Sequence, residues 1–313
     1  MTKVEDTSRA MRLDPESFAG GYFRNAVYRH WDPYEDIPDA LLEQDHERMV
    51  ADEPTEQEFE DFRRLVAMFG AGEEAVTEDL APLLLVTDDT DEQTFLTSQL
   101  YEEAKHTAFF DRYWRKVIDP VAEELGHEVT APTDQRYFND DYVALFDATE
   151  AAMERLLDDD SPEARARAFC HYHLVVESVL AQTGYYSIQS IYSPRGADGV
   201  AAREMPHLEG LVEGVTRIRS DEGRHVGFGM AKVREYVQDG GVDGDVVQET
   251  LSALMSHVAG VVTAASSTAD PAPLVEYAHG KLSRRIEIIT DADAAVPSVE
   301  ELVRLEGTDT AAD

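Results

Sequence analysis

Two short segments carry residue types at a spacing that can hold metal: Glu103-Ala-Lys-His106 and Glu222-Gly-Arg-His225. On a helix, positions i and i+3 lie one turn apart on the same face, so each segment can offer a carboxylate and an imidazole to one ion. Two other helical segments each supply a further glutamate, Glu73 within Phe69-Gly-Ala-Gly-Glu-Glu-Ala-Val76 and Glu177 within His171-Tyr-His-Leu-Val-Val-Glu177. Along the chain the order is Glu, Glu-x-x-His, Glu, Glu-x-x-His. One such pair recurs by chance in charged helices, whereas four elements in this order form the ligand set for two ions in the middle of a four-helix bundle. Carboxylate and imidazole without thiolate suit iron and manganese and argue against a structural zinc. Carboxylates can also bridge two ions about 3.5–4 Å apart.

Periodicity chooses among neighbouring acids. Glu73 falls in the apolar stripe Phe69, Val76, Leu80 and Leu84, while Glu74 shares a wetter face with Thr77 and Glu78. Glu103 lines up with Leu96, Gln99, His106 and Phe110, and Glu102 is offset. Glu177 shares a face with His173, Val176 and Leu180, and Glu222 with Leu211, Val215, Ile218 and His225. Buried carboxylates without a cation are costly, so four on apolar faces call for metal. Asp221, next to Glu222, reads either as a surface acid or as the carboxylate that receives the outer N–H of His106. His171 and His173 read as packing or outer residues, and Cys170 as a small buried hydrophobe. Tyr172 precedes Glu177 by five residues, about 140° round an α-helix, so it is expected to face sideways from the ions.

The elements that must position these residues are helical. The 313 residues are 43% hydrophobic, enough for one large core, with no stretch long enough to span a membrane and no apolar leader. One cysteine excludes an intrachain disulfide and fits a reducing cytoplasm. A net charge of -37, from 27 basic and 64 acidic residues, argues against nucleic acid or anionic membrane as partner. The dispersed acid and the scarcity of lysine suggest a halophilic protein, with an ordinary acidic surface as the plainer reading. Helices are predicted over about 39–50, 54–85 with a kink at Pro82, 91–124, 140–157, 161–192, 206–238, 246–265 and 271–289. Residues 18–38 read as an extended aromatic arm that includes Trp31. Residues 1–20 and 291–313 read as mobile ends flanking one domain over 21–290. Gly70-x-Gly72 and Gly227-x-Gly229 follow no strand, so they are packing glycines and not a dinucleotide fingerprint.

The segments Gly72-Glu-Glu-Ala-Val-Thr77, Glu102-Glu-Ala-Lys-His106 and Arg219-Ser-Asp-Glu-Gly-Arg-His-Val-Gly-Phe-Gly229 resemble the small-subunit superfamily of class I ribonucleotide reductase, and within it the ligand-binding oxidases. The resemblance spans about residues 20–290. It implies an all-α, ferritin-like homodimer with a Mn/Fe centre, Fe/Fe being the alternative, that reacts with dioxygen and binds a long-chain fatty acid. It carries the ligand role to Glu73, Glu103, His106, Glu177, Glu222 and His225, and the outer role to Asp221. It also implies an ether cross-link between Val76 and Tyr172. Trp31 becomes a candidate for electron entry, with a packing anchor as the plainer reading. The stretch from Ser193 to Ala202 looks extended relative to the family. Competing readings are a reductase radical subunit, against which the non-aromatic tail from Val303 speaks, and an iron-storage protein, which would be shorter.

Overall fold

A computed structural model describes residues 13–194, 196, 199–264, 269–291 and 294–298. The described residues are predominantly helical, and their only β-type pairing is an isolated bridge between Ala201 and Ala269. The helices are α1 (Phe18–Tyr28), α2 (Asp39–Asp52), α3 (Glu56–Asp79), α4 (Ala81–Val86), α5 (Thr90–Tyr113), α6 (Asp119–Leu125), α7 (Asp140–Glu154), α8 (Pro162–Phe169), α9 (Gln182–Tyr192), α10 (Glu209–Gln238), α11 (Gly244–Ala264) and α12 (Pro271–Thr290). A π-helical turn, Trp114–Ile118, joins α5 to α6, and a longer one, Cys170–Ala181, joins α8 to α9. The mobile ends expected at 1–20 and 291–313 lie largely outside the described residues. No described helix is long and apolar enough to cross a membrane.

Local chemistry sets the ends of these elements. Thr55 and Glu58 form a reciprocal capping box at the start of α3, a device that contributes about 1 kcal/mol. Pro82 sits in the first turn of α4, so the predicted kink is a break after Asp79. The extended arm expected over 18–38 is a helix in its first half. Ser17 caps it by accepting from the Gly20 amide at 3.0 Å, and the Phe18 ring packs at a tilt against Tyr22 one turn on. The aromatic spacing of that segment is thus helical, and only 29–38 runs irregularly, carrying Trp31 and Ile37 into the core.

Four segments surround the centre of the core: α3, α5, the π segment Cys170–Ala181 and α10. Two glycines let α10 come close. A Cβ on Gly229 would lie 2.2 Å from the His173 Cβ, and one on Gly214 would meet the Phe109 ring at 2.1 Å. The extended loop after α9 is tied to its surroundings where it is described. Val200 is fully buried, its carbonyl accepts from Asp270, and Arg203 pairs with Asp52 and Glu58.

Candidate metal centre

Glu73 comes from α3, Glu103 and His106 from α5, Glu177 from the π segment, and Glu222 and His225 from α10. All six side chains are buried. Glu73, Glu103, His106 and Glu222 bring one donor atom each to within 4.8 Å of one another, and so do Glu103, Glu177 and His225. The inward nitrogen of His106 is Nδ1, which faces Glu73 at 3.2 Å, Glu103 at 3.3 Å and Glu222 at 3.4 Å. His225 repeats this with Nδ1 facing Glu103 at 3.1 Å, Glu177 at 3.4 Å and Glu222 at 3.5 Å. Glu103 and Glu222 therefore turn one oxygen toward each histidine, as bridging carboxylates would.

The outward nitrogens also mirror each other. Nε2 of His106 is 3.1 Å from Asp221 Oδ2, and Nε2 of His225 is 2.9 Å from Glu102 Oε2. In each motif the acid before the inward glutamate reaches across to the histidine of the other motif. Sequence reading had set Glu102 aside as offset from the apolar stripe. The signal was there in the parallel between Glu102-Glu103 and Asp221-Glu222. Asp221 further accepts from the Trp31 indole at 2.8 Å and from Lys105 at 3.1 Å, and Trp31 stacks on His106.

The π winding decides where Tyr172 points. With i→i+5 hydrogen bonding, residues five apart stand about one turn apart on one face. Tyr172 therefore shares the side of Glu177, and its hydroxyl donates to Glu103 Oε1 at 3.2 Å. The sideways orientation expected from α-helical geometry is corrected: Tyr172 faces the centre. Tyr185 donates to Glu73 Oε1 at 3.2 Å, and Gln99 to Glu177 Oε1 at 2.8 Å. Sequence reading missed Tyr185 as a site residue. His173 bonds Gln99 at 3.3 Å, one shell out from the carboxylates.

Electrostatics set Glu73, Glu177 and Glu222 apart from Asp221, while at Glu103 burial acts upward but is overcome by His225 and His106, which hold it well below the ordinary range. Burial pushes Glu73 up to about 8 despite His106 beside it. Burial and the Glu222 carboxylate hold Glu177 well above the ordinary range. Burial and Glu103 raise Glu222. Burial acts on Asp221 in the same sense but is overcome by the hydrogen bond to His106 and by the charges of His106, Arg224 and Lys105, which hold it below the ordinary range. Among the described residues, three buried inner atoms, Glu177 Oε2, Glu222 Oε2 and His225 Nδ1, have no hydrogen-bond partner of acceptable geometry. Unpartnered acceptors converging on one buried space, with more carboxylates than protein cations, fit hard divalent cations.

On the α3 side the carboxylates open into an apolar cavity. Its walls include Leu65, Met68, Phe69, Val76, Val176, Leu180, Val261 and Leu274, and Glu73, Glu103, Glu177 and Glu222 border it.

No family model matches the chain. Solved structures do. A valine-to-leucine variant of an R2-like ligand-binding oxidase with aerobically reconstituted Mn/Fe cofactor is 29% identical, over 88% of this chain and 94% of that one, with a TM-score of 0.74. A tyrosine-to-phenylalanine variant, reconstituted anaerobically, is 28% identical over the same shares, with a TM-score of 0.73. A glutamate-to-aspartate variant, reconstituted aerobically, is 27% identical, again over 88% and 94%, with a TM-score of 0.72. These likenesses span nearly the whole fold, and the carboxylates and histidines meet at its centre: the chain is a helical oxidoreductase of ferritin-like architecture, similar over nearly its whole length to the R2-like ligand-binding oxidases.

Proposed function

We propose that Glu73, Glu103, His106, Glu177, Glu222 and His225 hold one manganese and one iron ion, and that the chain is a dioxygen-using oxidase acting beside a fatty-acid-like ligand. The observation that carries this is the set of unpartnered inward atoms, Glu177 Oε2, Glu222 Oε2 and His225 Nδ1, inside a cluster of six buried donors. Bound there, the two ions supply the redox chemistry. The protein's own residues orient the donors and exclude water. Asp221 and Glu102 hold the Nε2 protons of the two histidines and leave both Nδ1 atoms free to ligate. Gln99 and Tyr185 fix Glu177 and Glu73 by one hydrogen bond each.

The cavity supports the ligand reading. An acyl chain gains about 0.8 kcal/mol for each CH₂ that it buries against such walls. A carboxylate head would meet the ions where Glu73 and Glu177 border the cavity. The Val76 side chain lies in the cavity wall and Tyr172 donates to Glu103, so both members of the proposed cross-link border the centre. In that step the Val76 Cβ–H and the Tyr172 O–H are lost, a C–O bond forms, and dioxygen takes the two electrons and two protons. Trp31, hydrogen-bonded through Asp221 to His106, is the proposed route for electrons into the centre. We place the enzyme in the cytoplasm as a homodimer adapted to high salt.

Elemental analysis of aerobically metallated protein is expected to give two ions per chain, and Glu103→Ala or His225→Ala to lose that stoichiometry. Denaturing extraction should release a fatty acid. Peptide mapping should find a Val76–Tyr172 joined species that Tyr172→Phe does not form. Two tight ions retained in both ligand variants would refute the metal assignment. Separate Val76 and Tyr172 peptides from oxidised protein would refute the cross-link alone.

A further inference from the structure

The two motifs are copies of one pattern, acid-Glu-x-base-His: Glu102-Glu103-Ala-Lys105-His106 and Asp221-Glu222-Gly-Arg224-His225. The leading acids mirror each other across the centre, but the bases do not. Lys105 reaches Asp221 and lies over the Trp31 ring, 5.0 Å from its centroid. Arg224 reaches both acids. Its Nη2 donates to Asp221 Oδ1 and to Glu102 Oε1, each at 2.5 Å. The guanidinium is fully buried and is held from the other side, where Nη1 donates to the Ser220 carbonyl at 3.2 Å and to Asn25 Oδ1 at 3.3 Å. The two acids are thus unequally supported. Asp221 accepts from Trp31, Lys105, His106 and Arg224, whereas among the described residues Glu102 has only His225 and Arg224.

We propose that Arg224 is a positioning residue that ties the two histidine–carboxylate pairs into one unit, and that the metal position at His225 depends on it far more than the position at His106. The inference rests on the dimetal reading. A histidine can present Nδ1 to an ion only while its proton sits on Nε2, and an outer carboxylate holds it there. Glu102 is a long side chain with three rotatable torsions. One bond to His225 leaves it free to swing, and the second bond, to Arg224, fixes it. Without Arg224, Glu102 is a buried carboxylate with a single partner, and the His225 ring loses its restraint. Asp221 keeps three donors after the same loss. A lysine at position 224 keeps the charge, but its single ammonium cannot bond both acids and also hold the Ser220 carbonyl and Asn25, as the two Nη nitrogens of Arg224 do.

The test uses the full-length chain and Mn(II) as probe, with free ion read by electron paramagnetic resonance. The unsubstituted chain should bind two ions. Arg224→Lys should bind one ion within about threefold of the original affinity and the other about 10–100-fold more weakly, the range seen when outer partners of metal-binding histidines are removed. Backgrounds that disable one position assign the loss. With Glu177→Ala, which disables the His225 position, adding Arg224→Lys should leave the remaining ion unchanged. With Glu73→Ala, which disables the His106 position, adding it should weaken the remaining ion by the same 10–100-fold. Arg224→Gln is run alongside and should show the same selectivity. Equal binding at both positions, or equal weakening of both, overturns the inference. So does loss of helical circular dichroism in both variants, because the role would then be general to the fold. An unsubstituted chain that does not bind two ions overturns the dimetal reading and this inference with it. Two tight ions without selective loss in the variants overturn this inference alone.

Discussion

The inner and the outer acids of this bundle are equally buried and are treated in opposite ways. Asp221 and Glu102, one layer out, are neutralised by the protein itself through Arg224, Lys105 and the outward nitrogens of the histidines. Glu73, Glu177 and Glu222, in the middle, receive no lysine or arginine among the described residues, and two of them keep an oxygen without a partner there. A folded chain that needed only stability would not leave four carboxylates crowded there, because each uncompensated buried charge costs several kcal/mol. The contrast supports the proposed place for external cations: the protein completes its outer ring and leaves the inner one open.

The contrast can be broken by comparing variants in metal-free protein. Asp221→Ala removes an acid that balances two buried cations, so it should destabilise the chain by about 3–5 kcal/mol in urea unfolding. Glu177→Gln, an inner change of similar size, should be neutral or stabilising, because burial and Glu222 raise that carboxyl well above its ordinary range and so disfavour its charged form. Equal destabilisation by both substitutions would erase the distinction between the rings.

Asp45 sharpens the comparison, because it is a buried acid that belongs to neither group of candidate ligands. It lies on α2, and its Oδ2 accepts from the Leu211 amide at 2.9 Å and from Tyr113 at 3.2 Å. Burial pushes its carboxyl up to about 6. A carboxyl raised in this way binds its proton more tightly folded than unfolded. Its contribution to stability is whole below about pH 4 and is lost as pH rises through 6. Asp45→Asn, which mimics the protonated form, should therefore stabilise the protein by about 2–3 kcal/mol at pH 8 and change little at pH 4. A gain independent of pH would show that burial of charge is not what acts on this residue.

The smallest effect belongs to the surface. Arg115 and Asp111 pair at 2.9 Å one helical turn apart, with both side chains more than half exposed. Such pairs contribute little in water and less in salt. Arg115→Ala should leave the thermal midpoint unchanged within error, in contrast to Asp221→Ala in the buried outer ring.

How much of this was legible in the sequence follows from how regular each helix is. Glu103 and His106, and Glu222 and His225, stand on α-helices, where a three-residue spacing is geometry, and the structure brings them together. Glu73 was selected by its apolar stripe and is buried, whereas Glu74 is exposed. Tyr172 was misdirected because nothing in Cys170–Ala181 announces a π-helix, and a register change there turns every side chain. Glu102 was passed over because periodicity along one helix cannot see the His225 side chain of another. The first half of the 18–38 arm was misread because its aromatic content masked the Ser17 cap and the i, i+4 spacing of Phe18 and Tyr22.

The central claim is that two ions lie between these four segments, and the most direct measurement is anomalous diffraction from crystals of aerobically metallated protein, collected at the manganese and iron edges. The account predicts two peaks about 3.5–4 Å apart. One should lie among Glu73, Glu103, His106 and Glu222, and the other among Glu103, Glu177, Glu222 and His225. At the manganese edge one peak should be strong, and the other should appear only at the iron edge, where both are strong. A single peak, peaks elsewhere, or none in protein that retains activity would contradict it.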